Sequence, residues 1–107
     1  MPAVPDTLLI KMIIKKHVTG GKLILAICDA SLLNKKIETE TQILDLSSNF
    51  YKGEPETEEK ILDLVKKAYI INAVGEKSTN LLIKKGIIAE EDRKQIKSVP
   101  FVQVVFE

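Results

Sequence analysis

The apolar positions of the chain fall into short blocks dense in isoleucine, leucine and valine, separated by turn residues and by one stretch with helical spacing. From Thr7 to Val18 the run TLLIKMIIKKHV stops at Thr19-Gly20-Gly21 and resumes as KLILAIC from Lys22 to Cys28. Two apolar runs on either side of a glycine pair predict a β-hairpin, because glycine enters the positive-φ region that a tight turn requires. Asp29 to Lys36 opens on a capping residue and closes on asparagine and lysines, which predicts a single helical turn. Ile37 to Leu46 alternates loosely toward Ile43-Leu44-Asp45-Leu46 and reads as a third strand. Phe50 to Pro55 is a loop punctuated by Gly53 and Pro55, with two adjacent aromatics as its unusual feature.

Thr57 is placed to cap a helix with Glu58 and Glu59 in its first turn and Lys66 and Lys67 in its last, the charge order that the helix dipole favours. Ile61, Leu62, Leu64, Val65 and Ala68 make its apolar face. Tyr69 to Val74 (YIINAV) is a short buried run ending at Gly75, and we read it as a strand rather than as continued helix. A second helix spans Glu76 to Lys85 with Gly86 in the left-handed position after it. Glu90 to Ile96 reads as a further helical turn or two, and Val99 to Phe106 (VPFVQVVF) as the closing strand. Strand, helix and strand at that spacing predict a C-terminal β-α-β crossover into a parallel pair. The expected fold is α+β: a single domain over residues 1–107, with a mixed sheet of about five strands and two principal helices.

Composition narrows the function classes. With 107 residues, 45% hydrophobic and 29% charged, the chain is long enough to bury a core and too charged for a membrane protein. Lysines interrupt every apolar run before it reaches the roughly 20 residues of a membrane span. The N-terminus lacks the charged-then-apolar order of a secretory signal, so a cytoplasmic location is expected. A lone thiol, Cys28, suits a reducing compartment. Cys28 and His17 together fall short of a structural zinc site, so no metal or cofactor is expected. Lysine plus arginine number 16 against 15 acids, a net charge of +1, so any nucleic-acid surface has to be a local patch. A Lys/Glu-rich surface with Arg93 as sole arginine suits a thermophilic source.

Four stretches, in order and spacing, carry a resemblance: Cys28-Asp29-Ala30-Ser31-Leu32-Leu33, Phe50-Tyr51-Lys52-Gly53, Asn72-Ala73-Val74-Gly75-Glu76-Lys77, and Lys85-Gly86-Ile87-Ile88 leading to Val99-Pro100-Phe101-Val102-Gln103. Together they resemble the archaeal domain-of-unknown-function family 424 over nearly the whole chain. The resemblance implies a small archaeal cytoplasmic protein without an established activity, whose genes lie near translation and RNA-processing genes. It also implies that Asp29, Tyr51, Asn72, Glu76 and Gln103 stand where the family has polar groups. One departure is that the family's final strand opens Gly-Val-Pro-His where this chain reads Ser98-Val99-Pro100-Phe101.

Each candidate has a bland alternative. Cys28 beside Asp29 is either a nucleophile or a buried cysteine before a capping aspartate, and the neighbouring carboxylate opposes thiolate formation. His17, among lysines at a strand end, reads as a surface histidine. Asn72, Gly75 and Glu76 sit at a strand-to-helix junction, where α/β sheets place ligands, or make only a turn and a helix start. One glycine there falls short of a phosphate-binding fingerprint. Phe50 and Tyr51 beside Lys52 either stack a base or fold back over the sheet. The lysine pairs 15/16, 35/36, 66/67 and 84/85 form an RNA footprint only if several meet on one face.

Two functions from different classes follow. The leading expectation is a non-catalytic binding module of translation or RNA metabolism, partnered by RNA or a ribonucleoprotein through Asp29, Phe50, Tyr51, Lys52, Asn72, Gly75, Glu76 and Gln103. The alternatives are a small enzyme working at the Asn72/Glu76 junction with Asp29 or Gln103, and an adaptor that binds another protein.

Overall fold

The computed structural model describes residues 12–106. The N-terminal hairpin forms as the glycine pair dictates: β1 (Met12–Thr19) and β2 (Lys22–Asp29) pair antiparallel, with Thr19 opposite Lys22. Gly20 and Gly21 both adopt positive φ between them, the geometry a two-residue turn needs to match strand twist. Residues 7–11 of the predicted first run lie outside the described residues. The helical turn after Asp29 is a 3-10 turn, Ala30–Leu32.

Between this turn and the first helix the chain differs from expectation. Instead of one strand over Ile37 to Leu46 there is a separate hairpin of β3 (Lys36–Glu38) and β4 (Ile43–Asp45). The turn at its tip closes because Thr39 accepts the backbone N–H groups of Thr41 and Gln42 on its hydroxyl. After the Phe50–Gly53 turns, β5 (Glu54–Glu56) pairs antiparallel with Met12–Ile14 of β1. Proline and two glutamates hid this strand, yet Pro55 is acceptable on an edge.

The first helix, α1 (Glu58–Val65), starts where Thr57 predicts: the Thr57 hydroxyl accepts the Lys60 N–H at 3.2 Å. β6 (Ala68–Val74) is a strand, as the run YIINAV suggested, and it lies parallel to β2. α2 (Glu76–Lys84) follows, with Gly86 at φ +73 behind it. The acidic stretch Glu90–Asp92 is a 3-10 turn, but Lys94–Ile96 is a strand, β7, rather than helix. β7 turns through Lys97 and Ser98 into β8 (Val99–Val105), which runs antiparallel to β6.

The fold is therefore α+β, with a six-stranded mixed sheet in the order β5-β1-β2-β6-β8-β7 and a small sheet β3-β4. The parallel pair made by a crossover is β2 and β6, joined through α1. The β7–β8 hairpin reverses the chain once more, so that β6 and β8 close antiparallel instead of parallel. Both helices cover one face of the sheet, where Met12, Ile14, Leu25, Ile27, Ile71, Ala73 and Val102 meet Ile61, Val65, Leu81 and Leu82. Alternation sends the intervening residues to the other face. There Cys28 and Val74 join Leu46 in a second cluster beneath the β3-β4 hairpin, with Leu32, Ile37, Tyr51 and Phe101 around it. No helix among the described residues is long and apolar enough to cross a membrane.

Candidate functional site

The predicted polar residues separate into two groups. At the ends of β2 and β6, Asp29 is buried, with 5% of its surface exposed, and its carboxylate reaches across the sheet to the start of α2. Oδ1 accepts the backbone N–H of Ser78 at 2.8 Å and its hydroxyl at 2.7 Å, and Oδ2 accepts the backbone N–H of Lys77 at 3.0 Å. Asp29 is thus the N-terminal cap of a helix 48 residues away in sequence. Its negative charge also sits where the helix dipole is positive. Gly75, which precedes the helix and has no side chain to offer, makes this possible. It holds φ +111, and a Cβ there would overlap the carboxyl carbon and both oxygens of Asp29. The Gly75 N–H donates to Pro100 O at 2.7 Å, and the buried Thr79 hydroxyl donates to Gly75 O at 2.7 Å.

This junction is closed chemically. Burial, with the Asp29 carboxylate adding to it, pushes the Cys28 thiol up to about 12, and Sγ donates to Asp29 O at 3.2 Å. At neutral pH such a thiol is not a nucleophile. Glu76 points outward to Arg93, with 3.6 Å between Oε2 and Nη1, while Arg93 also donates to Asn80 and Glu90. Among the described residues no cluster of three or more His, Cys, Asp or Glu side chains is arranged to hold a metal ion.

The second group lies on the sheet face away from the helices. The register aligns Lys15, Ala26, Asn72 and Gln103 in one row across four strands. The neighbouring row is His17, Ile24, Ile70 and Val105. The Gln103 amide donates Nε2 to Asn72 Oδ1 at 3.0 Å, leaving the Asn72 NH₂ and the Gln103 carbonyl with unused capacity side by side. At the β1 end of the face the Phe50 ring stacks on the His17 imidazole, 4.6 Å between centroids and 8° between planes, and Phe50 O meets His17 Nε2 at 3.0 Å. Tyr51 stands edge-on to Phe50, its centroid 5.1 Å away, and packs into the second cluster, where burial raises the phenol above its ordinary value.

The structure thus brings together Asp29 with Gly75, and Asn72 with Gln103, but not Asn72 with Glu76. Alternation sends Asn72 to the helix-free face while Glu76 opens α2 on the other. Lys52 is exposed near Asp45, whose carboxyl is held low first by hydrogen bonds from Ser47 and further by Lys36 and Lys52. It stands by the small sheet rather than in either row. Two contributors were missed: Ser78, buried and bonded to Asp29, and His17, which sequence alone reads as a surface residue. Nothing local in the sequence signals a contact between His17 and Phe50, 33 residues apart.

Comparison with known proteins places this arrangement. The family described as a protein of unknown function, DUF424, matches residues 17–106. The chain belongs to the DUF424 family. Its fold is similar to the crystal structure of an uncharacterized conserved protein from Methanopyrus kandleri, with a TM-score of 0.74 and 27% identity over 87% of this chain and 89% of that one. No curated protein matches the chain. This DUF424 member packs Phe101 against the Cys28 and Val74 cluster.

Proposed function

We propose that the protein is a non-catalytic binding module of translation or RNA metabolism that takes a single-stranded RNA segment on the helix-free face of its sheet. The observation that carries this reading is the row of Lys15, Asn72 and Gln103 beside the His17–Phe50 stack. Such a face has the three elements that single-strand recognition uses: a π surface, an amide donor and acceptor for base edges, and a cation for phosphate. Because Phe50 is already fixed against His17, the platform is ordered before a ligand arrives, which lowers the entropy lost on binding. An enzyme at Asn72 and Glu76 is less well supported, since those side chains diverge and Asp29 spends its acceptors on α2.

The test is fluorescence polarisation of labelled single-stranded RNA at low salt. His17→Ala should weaken binding about 5- to 150-fold through lost stacking, with little change in salt dependence. Lys15→Gln should instead reduce the slope of log affinity against log salt by about 0.7, one phosphate contact on a single strand. If neither single-stranded nor structured RNA binds at protein concentrations up to about 100 μM, a range that already covers weak non-specific nucleic-acid binding, the RNA reading fails. An adaptor for another protein then takes its place.

A further inference from the structure

We infer that the free edge of β8 is a self-complementary docking strand whose partner is a second copy of this chain. The ladder fixes which backbone groups point outward. Phe106 N–H donates to Tyr69 O at 2.8 Å and Gly75 N–H donates to Pro100 O at 2.7 Å, so the even-numbered residues of β8 turn their N–H and C=O groups toward β6. The odd-numbered residues turn theirs outward. β7 pairs only with residues 99–101, which leaves the N–H and C=O groups of Gln103 and Val105 without a partner strand among the described residues.

Sheet edges are ordinarily protected by charge, proline or a covering element. The opposite edge is: β5 covers Met12–Ile14, and β1 continues with Lys15 and Lys16. The β8 edge carries Gln103, Val104, Val105 and Phe106, with no charge, and leaves Val105 50% and Phe106 37% exposed. Under a two-fold axis through Val104, Gln103 faces Val105 of the second copy and Val105 faces its Gln103. All four outward groups are then matched, each pair exchanging two hydrogen bonds. No like charges oppose one another across this pairing, and the sheet becomes continuous through both copies. The inference stands apart from RNA binding, because backbone groups rather than the His17 face make the contact.

Two short paired strands bury less than a standard interface, so dissociation falls in the micromolar-to-millimolar range and is measured near about 1 mM protein. Sedimentation equilibrium of the full chain there should give a dimer. Val105→Lys, at an exposed position, should weaken it at least ten-fold while circular dichroism stays unchanged. Val104→Cys should form a disulfide-linked dimer on oxidation, since residues on the axis form a non-hydrogen-bonded pair about 4.5 Å apart at Cα. A wild-type monomer at that concentration without crosslinking of Val104→Cys overturns the proposal. A dimer indifferent to Val105→Lys assigns association to another surface and overturns it too. So does a full chain that dimerises only after removal of residues 1–11, which would assign the edge to that segment.

Discussion

Two polar regions lie on opposite sides of the same sheet and treat their hydrogen bonds in opposite ways. At the β2–α2 junction, Asp29, Ser78, Thr79 and Gly75 are buried and their polar groups are satisfied within the chain. On the helix-free face, Asn72 and Gln103 share one bond and keep a donor and an acceptor for something else. The difference separates two roles that a sequence shows as the same kind of residue. A polar group that is buried and fully paired holds the fold, whereas one with spare capacity at the surface is available to a ligand.

The strongest test of that division removes the junction. Gly75→Ala places a methyl group inside the Asp29 carboxyl at φ +111, so the cap and the backbone cannot both persist. We expect a loss of about 3 kcal/mol or more, combining backbone strain with a lost cap. Asp29→Ala should cost about 2 to 4 kcal/mol, because three donors lose a charged acceptor in a buried site. Urea denaturation measures both. Any folded fraction should keep its affinity at the other face, and a selective loss of binding without loss of stability would break the comparison.

A second test uses pH on the same region. The Cys28 thiol is raised in the folded protein from 9.0 to about 12. Its contribution is therefore complete below pH 9 and is lost as pH rises through the window to 12, where the unfolded thiol ionises and the folded one does not. Stability should fall by at most about 1.4 kcal/mol per pH unit in that window. Tyr51, also raised, adds to the fall at the upper end. Cys28→Ala should flatten the alkaline decline relative to wild type in urea titrations at pH 7 and pH 10.5. Alkylation of native Cys28 at neutral pH should be slow, limited by opening of the core.

What could be read in advance follows from how local each signal is. The Gly20–Gly21 hairpin, the Thr57 cap and the Gly86 stop are set by residues within a few positions of one another, and they appear where the chain predicts them. β3, β4, β5 and β7 are three residues each, too short for periodicity to show; β5 and β7 exist because β1 and β8 offer them partners, and β3 and β4 because they pair with each other. The parallel pair lies one unit earlier than the sequence predicts, because the direction of the last strand depends on the Lys97–Ser98 turn, which has neither glycine nor asparagine. At the candidate site, Asn72 and Gln103 could be singled out as polar residues in apolar strands, but their pairing needs the β6–β8 register. Asp29 was legible as a cap; that it caps α2 instead of the turn beside it required the tertiary structure.

On the helix-free face the comparison predicts the reverse of the junction. Asn72→Ala with Gln103→Ala should change stability by no more than about 0.5 kcal/mol, as for surface substitutions. The same pair should lower RNA affinity by about 1 to 2 kcal/mol, roughly 5- to 30-fold, through lost base-edge hydrogen bonds. Thermal unfolding and polarisation on one preparation separate the two effects. A double variant that unfolds easily but binds RNA normally when folded would move these amides to the structural side.

The smallest expected effect sharpens the comparison by strengthening the fold without touching the face. Lys97 and Ser98 form the two-residue turn between β7 and β8, at φ +48 and +69. A hairpin turn of this hand requires positive φ at both positions, which is why glycine and asparagine are preferred there. An ordinary L-residue in that region costs about 1 to 2 kcal/mol, whereas glycine is unstrained but has about 0.5 to 1 kcal/mol more unfolded-state entropy to lose. For Ser98→Gly the balance of the two terms is a gain of about 0.5 to 1 kcal/mol. For a chain of this length that raises the midpoint of thermal unfolding by about 2 to 4 °C. Ser98 lies outside both rows of the helix-free face, so RNA affinity at 25 °C should not change. A rise in stability accompanied by a rise in affinity would mean that the turn and the binding face are coupled, and the two sides of the sheet would no longer be independent.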